Sequence, residues 1–432
     1  MLNTGIKMKK ILLIIILLFT ISVKAETITI SSNTSLSDKK IEDNREQSNV
    51  IIVNNGDLDI KDSTITKSGN GNDSVIDSYN NSAIVINENS KLKGDKLEVN
   101  TEGDFAHGIY YKEKTESTIK NSNIKTINKY SVGIINEGGK INISDTSIET
   151  KGNDSAGIYV VGGEIEVNKG SITTNSVDSP LIKAASKITL DETKLVANYS
   201  EGIVGIPGAD ITFNKVSLES NNITALEANY KSIYFYKPVG LEGNIVFNAK
   251  DSKIITKTGN TFNIVNAIVT INLENNEIDN TNGVFLKAYT NEYDDETNND
   301  IKLNLTKQLV KGNILTDKNT VMNIYLDNSE YIGSINANNA AKEINLTLTK
   351  DSKIMLTSNI NVNSLTNGDY ENSNINLNGY KLYINGEELS KDNIIHLDEK
   401  NETLYIILGF IIGVMLGYSI IYLYIKAKSV KK

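Results

Sequence analysis

SVGIINEGGKINISDTSIETKGND (131–154) runs straight into SAGIYVVGGEIEVNKGSITTNSVD (155–178), two units of one length and one grammar. Their columns extend in both directions. Gly108, Gly133 and Gly157, each followed by isoleucine, stand 25 and 24 residues apart. Ile141, Ile165, Ile188 and Ile211 are separated by 24, 23 and 23, and Ile124, Ile148, Ile172, Leu195 and Leu218 by 24, 24, 23 and 23. A period held that tightly implies one structural unit per repeat, each stacked on its neighbours.

Within each unit apolar and polar residues alternate, as in Ile141-Asn142-Ile143, Ile165-Glu166-Val167 and Ile211-Thr212-Phe213. Period two means strand with one face inward. β-Branched residues fill these runs, and Gly, Asn, Asp and Ser punctuate them as turn formers do. Each unit therefore holds about three short strands, and none of its segments is long or amphipathic enough for a helix. Stacked in register, such units form a parallel β-helix of about 24-residue coils, in which like side chains ladder. The glycine columns are expected at sharp turns of positive φ, which β-branched residues resist. A leucine-rich repeat has a similar length, but its LxxLxLxxN core and helical return are absent, as is the Gly- and Asp-rich calcium-binding nonapeptide.

The chain has 432 residues, no cysteine and no tryptophan, and Arg45 is its single arginine. A long ladder needs no disulfide staples. The formal net charge is −9, but residues 1–25 and 403–432 hold 8 lysines and no acid. The region between them has 36 basic against 53 acidic residues, a net of −17. That balance argues against nucleic acid as a partner and fits a soluble, self-repelling exterior.

Lys7, Lys9 and Lys10 precede the apolar run Ile11–Val23, and Ala25 offers a cleavage site. Residues 1–25 read as an export signal. Residues 26–48 read as an N-terminal cap over an otherwise open strand edge. Coils then run over 49–389, about 15 of them, with insertions at 230–243 and 289–300.

Towards the C-terminus, Asp351-Ser352-Lys353-Ile354-Met355-Leu356-Thr357 and Val362-Asn363-Ser364-Leu365 resemble the last passenger coils of autotransporters of the pertactin and AIDA adhesin type. Ile354 stands where those families usually have tryptophan, and Asn361 replaces a serine. The specific match covers about 70 residues within 320–389. The resemblance implies a right-handed, pectin-lyase-like β-helix and an adhesin-like role. An autotransporter would continue into a membrane β-barrel of amphipathic strands. Here a 22-residue apolar run, Leu404–Ile425, follows a linker at 390–403 and precedes a basic tail at 426–432. It is expected to be one transmembrane helix with a cytoplasmic C-terminus, and so a single-pass plasma-membrane protein with the β-helix outside. Gly409, Gly413 and Gly417, four apart on one face, would let two such helices dimerise.

The fold expected is thus all-β, a single-stranded right-handed parallel β-helix plus one C-terminal transmembrane helix. β-Helices host lyases and hydrolases, but fold alone does not decide function. Arg45 lies in the expected cap, Asp294-Asp295 lacks the flanking pattern of a glycosidase pair, and His107 and His396 lie in unrelated contexts. His107 reads as a solvent-facing coil residue. With no convergent acid–base group, the chain is read as non-catalytic, without cofactor or metal. Two stretches remain as candidate partner-binding surfaces for a surface protein or glycan: Tyr230, Tyr234, Phe235 and Tyr236, and the acidic Asp294, Asp295 and Glu296. Oxygen ligands in the second could hold calcium, but without ordered spacing it reads as a solvated loop. A surface-held polysaccharide lyase or hydrolase and a structural envelope spacer are the competing readings.

Overall fold

The computed structural model describes residues 26–72, 79–222, 231–291 and 298–396. Over these the chain winds as a right-handed parallel β-solenoid of about 14 turns. Most coils contribute strand a to a 12-stranded sheet and strands b and c to a second, larger sheet; the last coils add a four-stranded sheet that begins at Leu309–Lys311 and a three-stranded sheet that begins at Ile360–Val362. The first coil shows the plan: β1 (Ile28–Ile30) is strand a, β2 (Thr34–Ser37) is b and β3 (Lys40–Asp43) is c. Residues 26–48, read as a cap, are therefore wound like the coils above them.

Register is one coil per step. Inward column a runs Ile51, Ile84, Ile109, Ile134, Ile158, Ile182, Ile203 and Ile233, each paired with the next. The b column Ile141, Ile165, Ile188, Ile211 and the c column Ile124, Ile148, Ile172, Leu195, Leu218 pair as their spacing predicts. All of these are at most 1% exposed, so the core is one continuous aliphatic stack. From Phe213 upward it turns aromatic. Phe213, Phe235, Phe247, Phe262 and Phe285 interlock at centroid distances of 5.2–6.3 Å.

The corners differ from expectation. Between strands b and c a single residue takes the left-handed conformation in coil after coil: Asp38, Asp62, Lys96, Asn121, Asp145, Lys169, Glu192, Lys215, with φ from 46° to 55°. None is glycine, although each such residue costs about 1–2 kcal/mol. The corner N–H offsets this by extending the ladder, as Asp145 does to the Asn168 carbonyl at 3.0 Å. Gly163 does take the expected positive φ, 70°, but the Gly108, Gly133 and Gly157 column needs glycine for another reason. A Cβ on Gly133 would lie 2.5 Å from the Gly157 carbonyl oxygen and 2.6 Å from Ile148 Cγ2. The column is small because coils meet there, and these glycines do not have positive φ.

Polar ladders close the remaining corners. Ser131, Ser155, Ser179 and Ser200 each accept, through Oγ, the backbone N–H one coil below, at 2.9–3.0 Å. On the outer b face Asn304 donates to Asn272 and Asn272 to Asn248, both at 2.7 Å.

The expected transmembrane helix is corrected. Among the described residues no helix is long and apolar enough to cross a membrane. The short 3₁₀ turns Tyr79–Asn81 and Lys391–Asn393 are the helical elements among them. The expectation rested on hydropathy, which reports a preference for apolar surroundings and not a backbone shape. Leu404–Ile425, with Gly409, Gly413 and Gly417, lies outside the described residues, as does the signal at 1–25. Among the described residues the fold class is an all-β parallel solenoid.

Candidate functional site: the outer face of the a sheet

Alternation along strand a turns every second side chain away from the core, and on an ordinary solenoid that face would be polar. Here it is not. Val85, Tyr110 and Ile135 point outward yet are at most 1% exposed, and with Val132 and Ala156 they form a second apolar cluster separate from the core. Tyr79 meets Tyr110 edge-on at 6.0 Å, and the Lys112 ammonium lies 3.5 Å from the Tyr79 ring centre. The Tyr110 hydroxyl donates to Glu137 Oε1 at 2.7 Å.

Higher on the same face the residues become aromatic and charged. Lys231–Tyr236 is not an insertion but a regular a strand, paired with Ile203–Gly205 below and Asn260–Val265 above. Alternation therefore splits the tyrosine-rich stretch. Tyr234 and Tyr236 face outward with stacked rings, 4.8 Å apart and 10° from parallel. Phe235 turns inward, wholly buried in the phenylalanine stack, and offers a partner nothing. Two coils up, in register with Tyr236 through Val265, stands Tyr289. Lys231 pairs with Glu201 at 3.0 Å, with the two side chains 15% and 12% exposed, and its ammonium lies 4.4 Å from the Tyr234 ring centre. Burial raises the hydroxyl pKa of Tyr234, Tyr236 and Tyr289, so each stays protonated as a hydrogen-bond donor well above neutral pH.

Alternation through Tyr234 and Tyr236 was readable in the sequence, but the third ring was not. Tyr289 and the Glu201–Lys231 pair join the patch only once register is known. Tyr230, Asp294, Asp295 and Glu296 lie outside the described residues. His107 is the reverse of the expectation: fully buried, its Nδ1 accepts the Val132 N–H at 3.2 Å. His396 stacks on Tyr370 at 4.9 Å, many coils away.

Most other perturbed groups have structural partners. Burial alone would raise Asp43, but hydrogen bonds from Arg45 outweigh it and hold the carboxyl below its usual range. Burial pushes the Lys67 ammonium down to about 8, against the attraction of Asp43. Glu164 is held low by hydrogen bonds from Lys140 and Lys187, at 2.6 and 3.3 Å. Among the described residues no group of three or more His, Asp or Glu is placed to hold a metal ion. No family model, curated protein or solved structure matches the chain.

Proposed function

We propose that this chain is a non-catalytic, adhesin-like contact protein that acts at the cell exterior and binds through the outer face of the a sheet. The observation that carries the reading is the tyrosine patch. Tyr234, Tyr236 and Tyr289 sit on one rigid face, half-buried, their hydroxyls protonated and their rings open to a partner's apolar surface. Tyrosines of this kind give contact area at low entropic cost. The exterior setting is supported by the basic and apolar order of residues 1–25, and the adhesin-like role by the passenger resemblance of the last coils.

Most perturbed carboxylates and ammoniums, Asp43 and Glu164 among them, are accounted for by a neighbour that fixes a corner or a coil-to-coil contact, which supports a non-catalytic reading; Asp154, raised by burial and by the charge of Asp178, is not. The expected partner is a protein or glycan of another cell's surface or matrix. The test is binding of the full chain to arrayed matrix proteins, glycans and whole cells, beside a Y234A/Y236A variant. Binding lost in the variant while far-UV circular dichroism is unchanged supports the proposal. A chain that binds none of these surfaces, or a variant that binds undiminished, ends it.

A further inference from the structure

The two ends of the solenoid are built differently. At the C-terminal end Glu387–Glu388 folds back antiparallel onto Leu382–Ile384, and Lys381 pairs with Glu388 at 2.7 Å. Beneath it Asn367 and Asn374 exchange side-chain hydrogen bonds, and Asp369 accepts the Asn374 N–H at 3.1 Å. Among the described residues that end finishes in an antiparallel hairpin, unlike the all-parallel first coil. At the other end β1, β2 and β3 pair only upward among the described residues, with Ile51–Val53 and Asp57–Lys67. Their inward Ile28, Leu36 and Ile41 pack on the core but remain partly exposed. An edge of this kind is a template for another strand.

We propose that the first coil is a homophilic contact surface, on which β1–β3 pair antiparallel with β1–β3 of a second copy about a two-fold axis through Ile41. Such self-pairing is isologous and closes at two chains.

The sequence of the edge is complementary to itself in that arrangement. In β3 Lys40 and Glu42 face outward and Ile41 and Asp43 inward. Antiparallel pairing centred on Ile41 sets Lys40 opposite Glu42 of the second copy, and Glu42 opposite its Lys40. Because strands a and b flank c in every coil, the same axis lays β1 on β2. Thr29 then faces Ser35, with inward Ile28 beside Leu36 and Ile30 beside Thr34. No like charges face each other in these pairs, and every apolar inward residue except Ile30 meets another. The present Lys40–Glu42 pair within one chain is 2.7 Å long with side chains 72% and 55% exposed, so exchanging it for two pairs between chains costs little.

The test uses the full chain in mild detergent, followed by sedimentation equilibrium. A concentration-dependent dimer is expected. K40E or E42K, which put like charges opposite each other twice per dimer, should weaken it roughly three- to tenfold, and the K40E/E42K double variant should restore it. Because the chain has no cysteine, the register can be read directly: mixed T29C and S35C chains should form a disulfide that neither forms alone. A monomer at every concentration, as would follow if residues 1–25 cover the edge, overturns the proposal. So does a dimer indifferent to K40E, or one without the mixed disulfide.

Discussion

Lys67 offers the sharpest test of the packing argument. It sits in the inward column at the end of strand c, where the coils above place Thr101, Thr126, Thr150 and Thr174, and it is fully buried. Its ammonium donates to the Arg45 carbonyl at 2.5 Å and the Gly69 carbonyl at 3.2 Å, with Asp43, Arg45 and Glu46 the charges around it. Burial lowers its pKa from 10.5 to about 8. Below pH 8 both folded and unfolded chains carry the proton. Between pH 8 and 10.5 the folded chain has lost it and the unfolded chain keeps it, so stability rises with pH across that window. At about 1.4 kcal/mol per pH unit the full gain is about 3 kcal/mol. Buried Tyr111 and Tyr331, whose hydroxyls burial raises, act oppositely above pH 10, but they are common to wild type and variant and cancel. The perturbation is K67T, which supplies the hydroxyl of the neighbouring coils and removes the titration. Urea unfolding is followed from pH 7 to 10 by a fluorophore on a cysteine introduced at Ser35, so that the terminal coils are read and not the whole stack. The stability of wild type relative to K67T should rise by about 2–3 kcal/mol over that range. A difference flat to within about 1 kcal/mol would show that Lys67 is solvated and refute the argument.

Three further outcomes follow from the coil contacts. G133A should cost about 3 kcal/mol, because the added methyl meets a backbone oxygen at 2.5 Å that cannot move without parting two coils; a loss under about 0.5 kcal/mol in urea unfolding would contradict this. S155A should cost about 1–3 kcal/mol by stranding the buried Ser131 N–H, read as faster amide exchange at Ser131. E164K should cost about 1 kcal/mol at low salt, since it places a third lysine between Lys140 and Lys187, and most of the loss should vanish at 1 M NaCl; a salt-independent loss would point to packing instead.

The repeat was legible because each inward position has one neighbour above and one below, so the same residue type suits both. Ile141, Ile165, Ile188 and Ile211 are a sequence column and a physical one for that single reason. The corners were harder to read. Lys169 and Glu192 hold positive φ without glycine because the stack fixes their N–H partners, and no local propensity carries that information. The Gly108, Gly133 and Gly157 column is visible in the sequence but its cause is not, since a clash with the next coil's carbonyl is a tertiary distance.

The candidate surface lies between these cases, and the reason bears on how such folds acquire binding. Inward columns are constrained by neighbours on both sides, so they repeat. The outward a column has no such constraint, and it changes from Val85, Tyr110 and Ile135 to Lys183, Tyr234 and Lys287 without breaking register. Tyr234 could be recognised as outward from alternation alone, and Phe235 as inward by the same rule. Tyr289 could not be joined to them, because the 53-residue step from Tyr236 to Tyr289 becomes two coil steps only when register is known. A solenoid therefore repeats where it supports itself and is free to vary along its outward face. The irregular outward positions, more than the repeat that revealed the fold, are where contact specificity is to be sought.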